Sequence, residues 1–286
     1  MVEIIYLDID GTLRDEQKGV PDSAAWTIGQ CRKYGIRIVI CTGRSSGMVQ
    51  EDVMALQTDG MISGGGCYIQ YRGREVLRKC FDVETVKKAF ALIPHLRLSL
   101  SVETEKHIFM DRNASAFYRN DFRHRIGASR KTQKEVWIQN KIFYEDNFRD
   151  LKKDVNGIHK ICIFGGRRGV DEAEKRLVGE AQLIQKRKWN GRWYLELLPK
   201  GCNKGTAVYR LNKELGILKS RSMSFGDGVN DIDMMKATGV AVAVGSGDMR
   251  IRKYASSVCE AAAEDGIYKE LVRRNIIHPW ERSAVL

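Results

Sequence analysis

Two polar runs in this chain each set a pair of aspartates directly after an apolar stretch. The first, Asp8-Ile9-Asp10-Gly11-Thr12-Leu13, follows Glu3-Ile4-Ile5-Tyr6-Leu7. Side chains alternate along extended backbone, so Asp8 and Asp10 face the same way. Like charges held together favour a hard cation or a bound proton, which is the chemistry of metal binding or of acid and base work. A strand-end aspartate capping the next turn is the plainer use of the same residue. The second run, Gly226-Asp227-Gly228-Val229-Asn230-Asp231, packs two acids and an amide among glycines. Turn chemistry accounts for Asn230 or Asp231, while glycine on both sides of Asp227 signals backbone close to something bound. Two further places carry anion-binding groups. Thr42-Gly43-Arg44 offers a hydroxyl, a permissive backbone and a guanidinium able to grip phosphate oxygens, although Thr42 or Ser45 as a helix cap beside an exposed Arg44 explains it too. Lys204, within Leu198 to Gly205, falls in what reads as the first turn of a helix. The helix dipole disfavours a cation there, so the lysine is either solvated or close to an anion.

The elements that must hold these groups follow from hydropathy patterning. Apolar runs at 3–7 and 36–41 alternate with helical patterns at 22–34 and 45–56, the rhythm of a parallel sheet with crossover helices. It returns with a helix at 204–215, a strand at 222–225, a helix near 230–236 and a strand at 240–244. Ligands in such sheets bind beyond the carboxyl ends of the strands, where all four polar runs lie. The reading is therefore an α/β protein with a doubly wound, Rossmann-like parallel sheet formed by 1–81 and 193–286. Residues 82–192 form an inserted α+β unit with strand signals at 158–164 and 193–197 near its end. Ser63-Gly64-Gly65-Gly66, followed by an expected hairpin over 67–78, supplies flexible backbone for a hinge just before the insertion.

A length of 286 residues and 43% hydrophobic residues, with only four prolines, indicate a compact fold with a sizeable core. The seven cysteines show no metal or redox spacing, and those within apolar runs, Cys41 and Cys162, read as packing residues of a reducing compartment. The expected location is the cytoplasm. The amino-terminal run is too short and acidic for a signal peptide, and no stretch is long enough to span a bilayer, so no membrane partner is expected. The net charge of +12 is concentrated in residues 84–190, which hold 23 Lys and Arg against 14 Asp and Glu. Within that span, Arg119, Arg123, His124, Arg125, Arg130, Lys131 and Lys134 form a basic stretch. It carries no recognisable nucleic-acid module, so it reads as a solvated face or as positive potential drawing in an anionic substrate rather than as a nucleic-acid surface. His124, Trp137, Trp189 and Trp193 read as packing groups.

Taken together, the four polar runs resemble the signature motifs of the haloacid dehalogenase phosphatases, in particular the Cof-like branch with a large inserted cap. The combination of Asp-Ile-Asp-Gly-Thr-Leu at 8–13 with Gly-Asp-Gly-Val-Asn-Asp at 226–231 is specific, and the resemblance covers roughly 1–80 and 195–275. It implies that Asp8 is a nucleophile, that Asp10 is the general acid and base, and that Thr42, with Gly43 beside it, and Lys204 hold the transferring phosphoryl group. Asn230 would point towards the phosphate and Arg44 towards the substrate. Magnesium would be held by Asp8, Asp227 and the backbone carbonyl of Asp10, with Asp231 on its shell or orienting Lys204. The activity implied is magnesium-dependent hydrolysis of small phosphomonoesters, sugar phosphates or related metabolites, through an aspartyl phosphate. A phosphomutase of the same superfamily, or a protein binding RNA or a phosphorylated ligand without turnover, are the alternatives. To donate a proton at neutral pH, Asp10 must titrate above the usual range, and nearby Asp8 with partial burial is expected to raise it. The chain departs from the branch at Gly65-Gly66, where Asn-Gly is usual, and at Gly245-Ser246-Gly247, where Gly-Asn-Ala is usual.

Overall fold

The computed structural model describes residues 1–126, 151 and 155–280. Two sheets divide the chain. The first has eight strands: β1 (Ile4–Leu7), β2 (Arg37–Cys41), β3 (Gly60–Ser63), β4 (Tyr68–Tyr71), β5 (Arg74–Arg78), β11 (Ser222–Gly226), β12 (Val240–Val244) and β13 (Ser257–Cys259). They lie in the order β13-β12-β11-β1-β2-β3-β4-β5, parallel from β13 to β3 and closed by the antiparallel hairpin of β4 and β5. Its central strands are largely apolar and buried because both faces are covered, with Ser222 and Ser224 of β11 the buried polar exceptions. Ile5, Leu7, Ile38 and Ile40 pack with Ala24, Ile28 and Cys31 of helix α1 (Asp22–Lys33) and with Ile267 and Leu271 of the last helix, Gly266–Arg273. On the opposite face, Ile4, Tyr6, Val39 and Cys41 meet Ala207, Val208 and Leu211 of the helix Lys204–Glu214 and Met234 of the helix Ile232–Ala237. The doubly wound α/β reading holds. The pattern at 45–56 yields less helix than expected: one 3-10 turn, Ser46–Met48, then a short α2 (Glu51–Met54).

The inserted unit is built on β6 (Ser99–Glu103), β7 (Ile108–Met110), β8 (Lys160–Gly165), β9 (Ala181–Trp189) and β10 (Arg192–Pro199), in the order β7-β6-β8-β10-β9 and antiparallel throughout. Helices α3 (Val83–His95) and α5 (Arg167–Leu177) cover one face, packing Val86, Ala89, Val170 and Leu177 on Leu100, Ile161, Ile163 and Leu195. The other face, carrying Cys162, Phe164 and Tyr194 with α4 (Arg112–Ile126) at its edge, turns towards the first sheet. Strand β10 belongs to this second sheet through Pro199. The side chains of 123–125, and Arg130, Lys131, Lys134 and Trp137, lie outside the described residues.

The hinge expected at Gly64–Gly66 is a tight turn in which all three glycines have positive φ, +58°, +66° and +109°. A Cβ on Gly66 would stand 2.2 Å from the carbonyl oxygen of Asn203, and one on Gly64 would stand 2.6 Å from the His159 ring. Glycine is required here by close packing as well as by backbone conformation.

Candidate active site

The loops after β1, β2 and β11 and the start of the helix Lys204–Glu214 converge at the carboxyl edge of the parallel sheet. Lys204 is fully buried, and its Nζ lies 2.5 Å from Asp8 Oδ1 and 2.5 Å from Asp231 Oδ1. The helix that presents it is fixed by a reciprocal cap in which Asn203 accepts from the Thr206 amide and the Thr206 hydroxyl accepts from the Asn203 amide. The anion implied by a lysine in a first helical turn is thus a pair of carboxylates. Asp231 is buried between that ammonium and the amides of Asp227 and Gly228, both of which donate to its Oδ2. Thr12 donates to Asp227 Oδ1 across 3.3 Å.

Carboxylate oxygens of Asp8, Asp227 and Asp231 lie within 4.8 Å of one another. One ammonium does not balance three acids in a buried setting. Burial pushes the Asp8 carboxyl well above the usual range, and repulsion from Asp231 and Asp227 adds to it against the pull of Lys204. Asp227 is pushed up to about 7, by burial and then by Asp231. Lys204, despite the opposing effect of burial, is held well above its ordinary value by Asp231 and Asp8. The donor set is all oxygen and carries excess negative charge, which fits a hard divalent cation. Room is left beside Asp227, because the space a Cβ would take on Gly11 (φ +82°) reaches within 2.5 Å of Asp227 Oδ2.

Asp10 behaves differently from expectation. Its carboxylate is gripped at two points by Arg44, Nε to Oδ2 at 2.6 Å and Nη2 to Oδ1 at 2.7 Å, and Gln50 Nε2 adds a third contact at 3.3 Å. Burial alone would raise its pKa, but the Arg44 charge and hydrogen bonds prevail and hold Asp10 below the usual carboxylate range. The neighbour that decides its protonation here is Arg44, not Asp8. In this arrangement Arg44 engages Asp10 rather than open space for a substrate.

Thr42, Gly43, Arg44, Asn230 and Asp227 line one cavity of about 590 Å³ with Asp8 and Asp10. Buried Thr42 accepts from the Arg44 amide. Ser246 and Gly247, from the loop that departs from the usual family pattern, border the same space. The roof of the cavity is the inner face of the second sheet, including Glu103, Lys160, Gln185, Arg187, Trp189 and Glu196. The sequence marks none of these for chemistry; Trp189, expected to pack, does so against Phe117, Tyr118 and Phe164 while also lining the cavity. Lys160, an alternating residue of an apolar strand, reaches across to donate to the Gly43 carbonyl at 2.5 Å and pairs with Glu103 at 3.1 Å. Ser45 donates to Glu103 at 2.7 Å, and His159 Nε2 lies 3.2 Å from the same hydroxyl. Because that hydroxyl hydrogen is used on Glu103, Nε2 of a neutral His159 is the donor to Ser45. Burial, then Lys160 and Arg78, lowers the His159 pKa to about 3. The inserted unit is therefore latched to the loop after β2. Trp193, by contrast, packs under the Arg167 guanidinium away from this space.

The comparisons with known proteins extend over almost the whole chain. The model of the haloacid dehalogenase-like hydrolase family matches residues 5–271. Among curated relatives, a phosphoglycolate phosphatase of Methanoculleus marisnigri is 26% identical over 96% of this chain and 97% of its own. A 5-amino-6-(5-phospho-D-ribitylamino)uracil phosphatase of Bacillus subtilis is 22% identical over 94% of both chains. The solved structure of a haloacid dehalogenase-like hydrolase from B. subtilis superposes with a TM-score of 0.78 at 22% identity, covering 96% of this chain and all of the other.

Proposed function

The chain belongs to the haloacid dehalogenase-like hydrolase family and is a phosphatase of that type, and we propose that it hydrolyses small phosphomonoesters with magnesium through a phosphoryl group carried on Asp8. The observation that supports this best is the buried cluster of Asp8, Asp227 and Asp231 around Lys204, with Thr42 and Asn230 on the same cavity. Asp8 attacks phosphorus, the ester oxygen leaves with a proton from Asp10, and Asp10 as carboxylate then takes the proton of the water that cleaves the acyl phosphate. Attack by an anion on a phosphate dianion meets strong repulsion in a poorly hydrated site. Lys204 offsets part of it, while Thr42, the Gly43 amide and Asn230 orient the phosphate oxygens. Asp8, Asp227 and the Asp10 carbonyl would hold magnesium, which would supply the remaining charge neutralisation. Asp231 keeps Lys204 protonated and in place.

The Arg44 clamp on Asp10 gives the order of events. A free site keeps Asp10 ionised. An arriving dianion draws the guanidinium towards its own oxygens, and burial then favours the protonated acid that the first step needs. Residues 82 to Pro199 act as the cap over this centre, and the basic stretch within it, Arg119 to Lys134, adds positive potential. The relatives named above act on chemically different phosphates, so reaction class carries over to this chain and substrate identity does not. Among the described residues no helix is long and apolar enough to cross a membrane, and seven free thiols accord with a reducing compartment.

The test is phosphate release from a panel of sugar phosphates, nucleotides and p-nitrophenyl phosphate, with magnesium or with EDTA, for the wild type and Asp8→Asn. Release that needs magnesium and disappears with the substitution supports the proposal. Release that persists in Asp8→Asn, or in EDTA, would overturn the mechanism.

A further inference from the structure

The roof of the cavity is a ruled surface whose rows are set by strand register. Residues directly opposite in antiparallel strands share a face, and rows two residues apart are separated by about 7 Å. The row Ile108, Glu103, Lys160 lies nearest the catalytic loops, since Lys160 bonds Gly43 and Glu103 bonds Ser45. Next comes Met110, Ser101, Cys162, Glu196, Gln185, and then Ser99, Phe164, Tyr194, Arg187. The first row is electrically settled by the Lys160–Glu103 pair, and the third is aromatic, with the Arg187 guanidinium 4.7 Å from the Trp189 ring and 5.7 Å from that of Tyr194.

The middle row contains an unsettled charge. Glu196 is only 8% exposed. Its Oε2 accepts from Gln185 Nε2 at 2.6 Å and from the Tyr194 hydroxyl at 2.8 Å. Both donors are neutral, Oε1 has no donor, and no ion pair involves Glu196 among the described residues; Lys160 feels it only through space. Glu196 borders the main cavity and also a smaller cleft of about 40 Å³ shared with Gly43, Lys204 and Asn230. A buried carboxylate without a cation is costly, and the cost is recovered where a ligand completes it. A second phosphate or a carboxylate would be repelled at that oxygen. A hydroxyl or amino hydrogen would satisfy it.

We propose that Glu196 is the cap's specificity residue, taking a hydroxyl or amino group of the leaving group at its Oε1, so that the substrates are phosphomonoesters of polyols or amino alcohols rather than of plain or carboxylated alcohols. This rests on the phosphatase reading above. Gln185 and Tyr194 are positioning residues that fix the carboxylate so that its open oxygen faces the substrate.

The experiment compares kcat/KM for ribitol 5-phosphate, 4-aminobutyl phosphate, butyl phosphate and p-nitrophenyl phosphate across the wild type, Glu196→Gln and Glu196→Leu. The same ligands are titrated calorimetrically into Asp8→Asn with and without each substitution. A hydrogen bond to a buried charge corresponds to about ten- to a hundredfold. The wild type should favour ribitol 5-phosphate or the amine over butyl phosphate by that factor. Glu196→Leu should reduce the preference to about threefold or less, with kcat/KM falling more for ribitol 5-phosphate and the amine than for butyl or p-nitrophenyl phosphate. If Glu196→Gln harms the amine more than the polyol, the partner is an ammonium; if it treats them alike, the partner is a hydroxyl. Preferences that survive Glu196→Leu, or an equal loss on all four compounds with both substitutions, would overturn the assignment. Should no compound be turned over while the calorimetric preference still depends on Glu196, the phosphatase reading fails and the recognition stands.

Discussion

The candidate catalytic centre and the roof above it both bury charge, and they do so in opposite ways. In the centre, three aspartates share one lysine, and the excess raises the proton affinity of Asp8 and Asp227. In the roof's first row, Lys160 and Glu103 pair one to one, with Ser45 and the Gly43 carbonyl completing their hydrogen bonds. The centre holds uncompensated negative charge, whereas the charges of the latch are paired with each other. Removing a charge from the centre should therefore cost activity, and removing one from the latch should cost stability.

The sharpest division comes from Asp8→Asn. It should lower kcat by about 10⁴-fold or more, while its thermal midpoint without magnesium stays level or rises because one of three repelling acids is gone. A fall of the midpoint would contradict the account of the centre. Asp10→Asn should lower kcat by about 10²- to 10⁴-fold. Arg44→Lys, which breaks a two-point grip, should affect hydrolysis more than folding, measured as kcat/KM beside urea unfolding. For the latch, Lys160→Met leaves Glu103 buried without its cation and should cost about 3–5 kcal/mol in urea unfolding. A loss confined to turnover would move Lys160 into the catalytic group.

The smallest effect concerns pH. His159 titrates at about 3 in the folded chain and near 6.5 when unfolded. Between those values the unfolded chain holds a proton that the folded one lacks, so stability falls as pH falls, by about 1.4 kcal/mol per unit from this group. Urea unfolding of the wild type and His159→Gln at about pH 7 and pH 5 should show the shallower dependence in the variant. Equal slopes would mean that the ring is not held neutral.

The positions of the polar runs were legible because each sits within a few residues of a strand end, where hydropathy patterning locates it, while the roles expected of them came from the resemblance of the motifs. Asp8, Thr42, Lys204 and Asp227 needed no knowledge of long-range pairing. The roof depends on register: Glu103 meets Lys160, and Glu196 meets Gln185, only after antiparallel strands distant in sequence have aligned. No local pattern marks Lys160 among Ile158 to Phe164 as more than an alternating polar residue. The error over Asp10 has the same origin, since Arg44 is 34 positions away and its direction depends on how the loop after β2 folds back. Likewise, the apolar alternation at Arg192–Pro199 is compatible with either sheet, and only pairing with β8 and β9 assigns it to the second one.

Lys160 takes hold of the catalytic loop by a main-chain carbonyl, that of Gly43. Any residue at that position would offer the same oxygen, so this half of the latch is indifferent to drift in the loop's side chains. The half made by Ser45 and Glu103 needs a hydroxyl and is not. A cap of this design could be moved onto a divergent core with one contact guaranteed by the backbone itself and a single serine to restore.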